Sequence, residues 1–514
     1  MFKYLIALGC ILSCSTLFAQ SSKSGTIEDA DEHYGHHNYL MALPVYKNLL
    51  KTDKNNATIQ YKIAECYLNT NINKAEAIKY LEFCTKEPKV EPIVWLRLGH
   101  AYRLTNKIDD AIKAFEKYKE LEPKKKKAAE REIEICNKAK ALMLNPVNVS
   151  FTNLGKDINS EFADYYPWIT SDESFLAFTT RRKGQTASRV EVDGYYASDV
   201  YTSRLEAGKW IKAENPGNKI NSSLDEQVVG LKADGSEMLI YIDHIDKFGD
   251  IYSTVKKNGL WVKYAPFPEH INKKIEHSAS ISADGNTLFF VRGEGKEDQT
   301  DIYICRKLPN GNWSEPFKMG PDVNTEYNED FPYLSTDGVT LFFSSEGHNT
   351  MGGFDLFKSV WNPEENTWTK AENLGYPLNT TDNDRSISLT PDNRAGYISA
   401  WRPGGQGDLD IYRVRFNDME QKLTLYLGSV MLGDSLNQPK EFIATIFAVN
   451  TVSNEEFSFV PNPKNGKLVM ALPAGVYEIS VTSDGYAELK DKLTVSDLGL
   501  PISEEKKNYK LTKQ

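Results

Sequence analysis

The chain has 514 residues, a formal net charge of -10 and 26% charged residues, the composition of an acidic protein with several domains. A general nucleic-acid-binding protein needs a basic face, so the acidic balance argues against that class. Six cysteines in a chain of this length do not make a disulfide scaffold, and none of them has the spacing of metal ligands.

The first nineteen residues predict a signal peptide, residues 1–19. Lys3 precedes an apolar run over 4–12, and Leu17-Phe18-Ala19 offers a cleavage site before Gln20. A lipoprotein signal ending at Cys14 is the alternative, in which Cys14 is acylated after cleavage. Both interpretations predict an exported chain in the periplasm, free or attached to the outer membrane by lipid. Of the cysteines outside this segment, Cys66, Cys84, Cys136 and Cys305 are expected to be buried free thiols, with a Cys66–Cys84 bridge as the alternative.

Residues 27–144 predict a tetratricopeptide helical array with three repeats. The last repeat has the expected large and small residues over two helices and a terminal proline: Trp95, Leu98, Gly99, Tyr102, Ala111, Phe115 and Pro123. Two earlier copies are marked by the aromatic steps Tyr34, Tyr67 and Tyr102. A further helix is expected over 128–144, with the lysines at 124–127 in a solvated turn. His33, His36 and His37 suggest a metal only superficially, because no carboxylate or cysteine is suitably placed beside them.

Residues 146–418 repeat one pattern five times, which predicts a five-bladed β-propeller. Each copy has an acidic turn before an apolar-aromatic run, and then an acidic residue before an apolar-aromatic pair. The turns begin at Asp172, Asp234, Asp284, Asp337 and Asp392. The second acids are Asp199, Asp250, Asp301, Asp355 and Asp410, with steps of 51, 51, 54 and 55 residues. Outer strands are expected to begin at Trp210, Trp261, Trp313 and Trp368.

The fifth copy lacks an outer strand, and the first strand of the region supplies one. Asn153-Leu154-Gly155 matches Asn373-Leu374-Gly375 residue for residue. The N-terminal strand is therefore expected to complete the last blade and close the ring, which removes exposed sheet edges.

The repeated acidic residues are interpreted as structural, because a role repeated five times belongs to the fold. The Asp-Gly pairs have hairpin chemistry. Gly404-Gly405-Gln406-Gly407-Asp408 resembles a calcium-binding repeat, but its next acid, Asp410, comes one place late, so a turn is expected.

Segments such as Ser282-Ala283-Asp284-Gly285-Asn286-Thr287-Leu288-Phe289-Phe290 resemble the WD40-like propeller repeats of TolB and its relatives. Residues 421–512 resemble a carboxypeptidase-regulatory-like domain, a transthyretin-like β-sandwich, through the stretch from Leu472-Pro473-Ala474-Gly475 to Gly485-Tyr486. The residues at 503–513 are interpreted as a charged, lysine-rich tail. Asp434-Ser435-Leu436 fits an O-glycosylation pattern.

The order of these parts resembles PorE-like periplasmic proteins of the Bacteroidetes type IX secretion system. That family normally continues into an OmpA-like domain, for which these residues offer no match, so no residue is assigned to peptidoglycan binding. The resemblance implies envelope proteins as partners, including a PorP/SprF-like outer-membrane protein.

Three functions follow as hypotheses. The first is a non-enzymatic scaffold that binds envelope proteins through the array and the propeller. The second is a glycan- or peptide-binding protein that uses the propeller channel. The third is a hydrolase, although no catalytic motif is found. No catalytic, cofactor-binding or metal-binding residue is therefore predicted, and no cofactor.

Overall fold

A computed structural model describes residues 25–184, 186–206, 208–244, 249–293, 299–418, 423–433, 443–495 and 502–513. The predicted signal peptide with Cys14 and the Asp434-Ser435-Leu436 pattern lie outside these residues. The chain divides into two compact units. One contains the chain up to Ile133 together with Val190–Tyr195, and the other contains Glu134–Arg189 and everything from Tyr196 onward.

The first unit is built from three pairs of helices and the start of a seventh helix. The helices are α1 Ile27–Gly35, α2 Tyr39–Thr52, α3 Ala57–Leu68, α4 Glu76–Cys84, α5 Pro92–Leu104, α6 Ile108–Leu121 and α7 Lys126–Leu144, with a 3-10 turn at Pro123–Lys125. Side-chain caps from Thr26, Asn38 and Asn56 begin the first three helices by accepting backbone N–H bonds. Gly99 allows α5 to approach α6, because a Cβ there would lie 2.4 Å from the ring of Phe115.

Ion pairs join each odd-numbered helix of this unit to the next odd-numbered helix. Lys62 of α3 contacts Asp31 of α1 at 2.5 Å. Arg97 of α5 contacts Glu65 of α3 at 3.0 Å. On the other side of α5, Arg103 contacts Glu132 of α7 at 2.5 Å. The start of α7 therefore continues the row of first helices and serves as the predicted cap of the array.

The expected terminal helix is confirmed, and it begins at Lys126, so half of the lysine run is helical rather than a turn. Among the residues that the structure describes, no helix combines the length and apolar character that crossing a membrane demands.

The second unit opens with five antiparallel sheets, here numbered in the order in which their inner strands occur. Sheet 1 contains β2 Asp164–Ile169, β3 Phe175–Thr180, β4 Asp199–Glu206 and β5 Lys209–Trp210. Sheet 2 contains β6 Asp225–Leu231, β7 Glu237–Asp243, β8 Asp250–Lys257, β9 Leu260–Trp261 and β10 Ala265–Pro266. Sheet 3 contains β11 Ile275–Ile281, β12 Thr287–Gly293, β13 Thr300–Arg306 and β14 Phe317–Lys318. Sheet 4 contains β15 Glu329–Leu334, β16 Thr340–Ser345, β17 Asp355–Asn362, β18 Thr367–Trp368 and β19 Glu372–Asn373.

Sheet 5 combines the two ends of this region. It contains β20 Ile387–Leu389, β21 Ala395–Ala400, β22 Asp410–Phe416 and, as its outer strand, β1 Val149–Asn153. β1 runs antiparallel to β22 from Val149 opposite Phe416 to Asn153 opposite Tyr412. This is the pairing that the Asn-Leu-Gly match predicted.

The inner strands follow one another around a common axis. β2 contacts β6, β6 contacts β11, β11 contacts β15, and β20 contacts β2. Sheets 4 and 5 share an apolar cluster that includes Phe342, Leu356, Ile387 and Leu389. The region is thus a β-propeller. Its fourth strands differ from the prediction. In sheets 1, 2 and 4 the tryptophan ends a two-residue strand, whereas in sheet 3 Trp313 forms only an isolated bridge with Lys307. In sheets 2 and 4 the outer edge resumes several residues later, as β10 and β19.

The C-terminal residues form two further sheets around one core. A three-stranded sheet has the order β26-β23-β29 and a four-stranded sheet the order β25-β24-β27-β28. The strands are β23 Leu423–Leu432, β24 Thr445–Asn450, β25 Glu456–Phe459, β26 Lys467–Pro473, β27 Gly475–Thr482, β28 Leu489–Val495 and β29 Ile502–Leu511. Both sheets contribute to one cluster that contains Tyr426, Ile446, Met470 and Ile479.

The prediction of a charged tail at the C-terminus was wrong. β29 lies parallel to β23 along its whole length, from Ile502 beside Leu423 to Leu511 beside Leu432. Tyr509 and Leu511 are buried in the common core, whereas Lys506, Asn508 and Lys510 are exposed. Alternation of lysines with apolar residues is the pattern of an edge strand with one solvated face.

Candidate functional site

A second five-fold motif lies in the links between the sheets, and sequence reasoning missed it. Each copy has an apolar residue, an asparagine and, four or five residues later, a carboxylate. The asparagines are Asn159, Asn221, Asn272, Asn324 and Asn379. In every copy the side-chain amide exchanges two hydrogen bonds, of 2.7–3.1 Å, with the backbone N–H and C=O of one residue in a third strand. The residues so held are Val200, Ile251, Ile302, Leu356 and Ile411, each directly after a repeated acid.

The motif carboxylates are buried at the start of the inner strands. They are Asp164, Glu226, Glu276, Glu329 and Asp384. Most accept bonds from the residue after the asparagine; Thr325, for example, donates to Glu329 from its backbone nitrogen at 2.9 Å and from its hydroxyl at 2.7 Å. Arg182 pairs with Asp164 at 2.5 Å and Arg292 with Glu276 at 2.6 Å. Burial raises the pKa of Glu226 and of Glu329 to about 7.

The two sets of acids that the sequence singled out also have structural contacts. Each turn Asp accepts a bond from the backbone nitrogen two residues later, at 2.9–3.1 Å in all five copies. Among the third-strand acids, Asp355 accepts from Met351 and Asn373, at 2.8 and 2.7 Å. Asp410 accepts from the backbone of Gln406 and Gly407, so the glycine-rich segment wraps this carboxylate.

The residue directly after each motif carboxylate is different in every copy. We call the end of the propeller axis at which the inner strands begin the mouth, and these five residues the mouth ring: Tyr165, Gln227, His277, Asp330 and Arg385. The register of the inner strand shifts at or just beyond this position in sheets 1 to 4. A β-bulge of this kind redirects side chains without ending the strand. The framework of the five copies is thus constant, and the residue presented at the mouth is not.

Three members of the mouth ring, from sheets 3, 4 and 5, meet at one carboxylate. His277 Nε2 lies 3.2 Å and Arg385 Nη1 lies 3.3 Å from Oδ2 of Asp330. The hydroxyl of Ser278 donates to Oδ1 of Asp330 at 2.6 Å. The Asp330 side chain is 4% exposed, against 26% for His277 and 37% for Arg385, so the two cationic groups form the solvent side of the cluster. The guanidinium of Arg385 also stacks 4.0 Å from the centre of the Phe354 ring.

The charges of this cluster support one another. Burial alone would raise the pKa of Asp330, but the adjacent His277 and Arg385 outweigh it and lower the pKa. Burial would lower the pKa of His277, but Asp330 outweighs it and raises the pKa. Arg385 balances the charge of Asp330, so each proton that His277 gains adds positive charge to the cluster.

Aromatic rings fill the axis beneath the cluster. Tyr166 of sheet 1 and Phe331 of sheet 4 lie 4.1 Å apart between ring centres, and Tyr165 stands edge-on to Tyr166 at 4.6 Å. One layer further in, Trp168 meets Tyr333 at 5.8 Å. Sheets 1 and 4 are not neighbours, so these contacts cross the axis. Tyr165 and Tyr166 are half-buried and are the accessible aromatic groups at this end of the axis, whereas Phe331 is buried.

The other end of the axis is a cavity of about 380 Å³. Its lining includes turn residues of all five sheets together with Glu455 and Tyr477 of the C-terminal sheets. Arg413 and Glu173 pair there at 3.0 Å, and the hydroxyl of Tyr397 donates to Glu173 at 2.7 Å. Arg415 contacts Glu455 at 3.0 Å, which links the propeller to the C-terminal sheets.

The helical unit has a polar aromatic cluster of its own, on the row of first helices. Tyr34, Tyr61, Glu65 and Arg97 interact there. Burial, followed by the nearby Glu65, raises the pKa of Tyr61. His36 and His37 are exposed near the end of α1. The described residues hold no group of three or more histidine, cysteine or acidic side chains arranged to bind a metal ion. Cys66, Cys84, Cys136 and Cys305 are buried and free, so the alternative Cys66–Cys84 bridge is not formed.

Residues 93–125 match the tetratricopeptide repeat family. No curated protein matches the chain. Among solved structures, TolB from Acinetobacter baumannii is 15% identical with a TM-score of 0.33, over 50% of this chain and 57% of its own, so the match spans little more than half of that protein. A putative TolB from Agrobacterium tumefaciens is 15% identical, over 53% of this chain and 99% of its own, with a TM-score of 0.28. A family 117 glycoside hydrolase from Zobellia galactanivorans is 10% identical, over 53% and 92%, with a TM-score of 0.35.

These structural likenesses are too distant to transfer a function. The family match and the sheet topology together describe a chain with a tetratricopeptide repeat followed by a β-propeller.

Proposed function

We propose that this protein is a non-enzymatic envelope scaffold, which binds other proteins through its helical array and its propeller. The observation that carries the proposal is the presence, in one chain, of a matched tetratricopeptide repeat and a propeller with a mouth of varied side chains. Helical repeats and propellers both offer extended surfaces on rigid supports, which suits protein recognition. The turn acids of the propeller each accept a hydrogen bond from the backbone two residues later, which supports a structural role for them.

The finer assignment is a PorE-like protein of the type IX secretion system. We propose that the five sheets are the blades of a five-bladed propeller and that the two C-terminal sheets are a carboxypeptidase-regulatory-like, transthyretin-like sandwich. The sequence resemblances described above support both. They also support export to the periplasm, a role in anchoring or assembling secretion and gliding machinery, and a PorP/SprF-like outer-membrane partner.

A pull-down from envelope extracts tests the scaffold. The tagged chain is expected to recover outer-membrane or secretion components. Tyr61→Ala, in the polar aromatic cluster of the array, is expected to reduce this recovery because it removes contact area between the first helices. Lys113→Ala is the matched control, since Lys113 is a highly exposed residue of α6. Recovery of no envelope component by the unaltered chain would refute the scaffold function.

A ligand-binding propeller is the second candidate, and the mouth ring favours it. Glycan and peptide ligands both suit a mouth that combines cationic and aromatic groups. This function is compatible with a scaffold, because the mouth ring belongs to the second compact unit and the array to the first.

A further inference from the structure

We propose that the mouth ring binds an acidic sugar, a pyranose ring that carries a carboxylate, as part of a glycan. The inference rests on the second candidate function, ligand binding by the propeller, and does not depend on the scaffold, since every residue of the mouth ring belongs to the second compact unit.

The first argument comes from comparing the five copies with one another. In all five, the asparagine makes the same pair of bonds, and the carboxylate is buried within a few residues of the first residue of the inner strand. The next residue is Tyr165, Gln227, His277, Asp330 or Arg385. A purely structural position would repeat its residue as its neighbours do. Five different polar or aromatic side chains on one constant framework are typical of a recognition surface.

The second argument is backbone strain at the same place. Tyr166 has a φ of 54° and Phe331 a φ of 44°, in the bulges of β2 and β15. Bulky residues rarely adopt a positive φ, which costs roughly 1–3 kcal/mol each. These two rings meet each other at 4.1 Å, with Phe331 buried and Tyr166 half-buried. Strain of this kind persists where a fixed side-chain position is required, and ligand sites are a common case.

The third argument is charge. Asp330 is buried and already accepts bonds from His277, Arg385 and Ser278. The more exposed sides of His277 and Arg385 therefore present N–H donors to solvent, and Arg385 carries a permanent positive charge. The guanidinium of Arg385 lies over Phe354, with Cζ 4.0 Å from the ring centre, and its planar fork suits the two oxygens of a carboxylate.

The aromatic groups select the kind of ligand. Tyr165 and Tyr166 are half-buried, whereas Phe331 and Trp168 are buried, so the two tyrosines supply the accessible aromatic surface. A pyranose chair needs one such surface against its C–H face and polar groups at its rim. A sugar ring has apolar C–H faces and polar edges, which matches this arrangement. A carboxylate on that ring reaches the cationic side.

Calorimetric titration of the full chain with an oligomer of galacturonic acid tests the inference. Binding is expected, and the same oligomer with its carboxylates reduced to alcohols is expected to bind at least about tenfold more weakly, because a charge-assisted hydrogen bond is lost. Arg385→Gln is expected to weaken binding of the acidic oligomer by a similar factor. Arg204→Gln is the matched control on an exposed strand position, and it should leave affinity unchanged.

Arg385→Lys separates a loss of binding from a folding defect, because lysine retains the charge and lacks only the planar fork. This variant is expected to bind the acidic oligomer clearly more weakly, with an unchanged melting temperature. Equal binding of acidic and neutral oligomers would overturn the inference. So would no binding at millimolar concentration, or Arg385-dependent binding of a peptide with a free C-terminal carboxylate but of no sugar. The pull-down of envelope proteins is measured separately, so failure here leaves the scaffold proposal to its own test.

Discussion

At the scale of single residues, the propeller depends on side chains that replace backbone partners. Each motif asparagine satisfies one N–H and one C=O of a third strand, beyond what the sheet itself pairs. Buried backbone groups that lose their partners cost free energy, so these amides belong to the framework. The mouth-ring residues lie a few residues further along the chain than the asparagines, and they contribute no such bonds between a connection and a third strand.

Asn324→Ala is expected to lower the free energy of unfolding by about 2–4 kcal/mol, because two hydrogen bonds to Ile302 disappear and both backbone groups stay buried. Urea denaturation followed by tryptophan fluorescence measures the change. Asn310→Ala, in an exposed turn, should alter stability by less than about 0.5 kcal/mol. Equal effects of the two substitutions would contradict the role of the motif.

Asp355 predicts a pH dependence of stability. Burial, and then the neighbouring Asp384, raise its pKa from 3.8 to about 8. The folded protein therefore holds a proton that the unfolded chain releases, and stability is expected to fall as pH rises toward 8. Asp355→Asn removes this titration and should flatten the slope by up to about 1.4 kcal/mol per pH unit.

Thermal unfolding of the parent chain and of Asp355→Asn between pH 6.5 and 8.5 isolates the effect of this carboxyl, because other groups that titrate in this window, such as Glu226 and Glu329, are common to both. Asp284→Asn is the control, because hydrogen bonds from Ser282 and Asn286 lower the pKa of Asp284 and place its titration below this window. An unchanged slope in Asp355→Asn would show that Asp355 is charged in the folded protein.

At the scale of elements, the sequence predicted most strands and helices and failed where a pattern was masked. The hairpins between the first and second strands of the sheets were predicted from their Asp-Gly turns, because the turn residues and the apolar strand pattern agreed there. β29 was missed because its charged residues hide the alternation that ends in Tyr509 and Leu511. These are the four residues from Glu504 to Lys507, and Lys510. The asparagine motif was missed for another reason: its first step, from Asn159 to Asn221, is 62 residues, while later steps are 51, 52 and 55.

The mouth ring itself was not accessible to pattern reasoning. Its members share no chemistry, and their common role follows only from the position after the motif carboxylate. Three of them become neighbours because different sheets converge on one axis, a proximity that spacing along the chain does not give.

Leu511→Ala tests whether β29 is part of the C-terminal core. Leu511 is 1% exposed, so its truncation should destabilise these sheets by about 2–5 kcal/mol. Lys510→Ala, one residue earlier on the exposed face, should cost less than about 0.5 kcal/mol. Near-ultraviolet circular dichroism during thermal unfolding distinguishes the two variants, and similar behaviour of both would mean that β29 is dispensable.

At the scale of the whole propeller region, closure depends on contacts between sheet 5 and its neighbours. Glu173 follows the turn Asp of sheet 1 and contacts Arg413 and Tyr397 of sheet 5. Its φ of 53° is unusual for a side chain of this size, so the position is held by those partners.

Glu173→Ala is expected to lower stability by about 1.5–3 kcal/mol, because Arg413 loses a charged hydrogen-bond partner. The double variant Glu173→Leu with Arg413→Leu should recover part of the loss, since no unpaired charge remains. Denaturant unfolding of the single and double variants measures both effects. A double variant that is less stable than Glu173→Ala would contradict this account of the closure.

The pairing of β1 with β22 also sets an order of assembly. Val149 and Phe416 are partners although almost the whole propeller region separates them along the chain. During synthesis, sheets 1 to 4 have all their strands before the partner of β1 exists, and β1 must wait. Contacts between such distant residues form slowly, because the intervening chain has to be ordered first. The last sheet to become complete is therefore the one that joins the beginning of the region to its end.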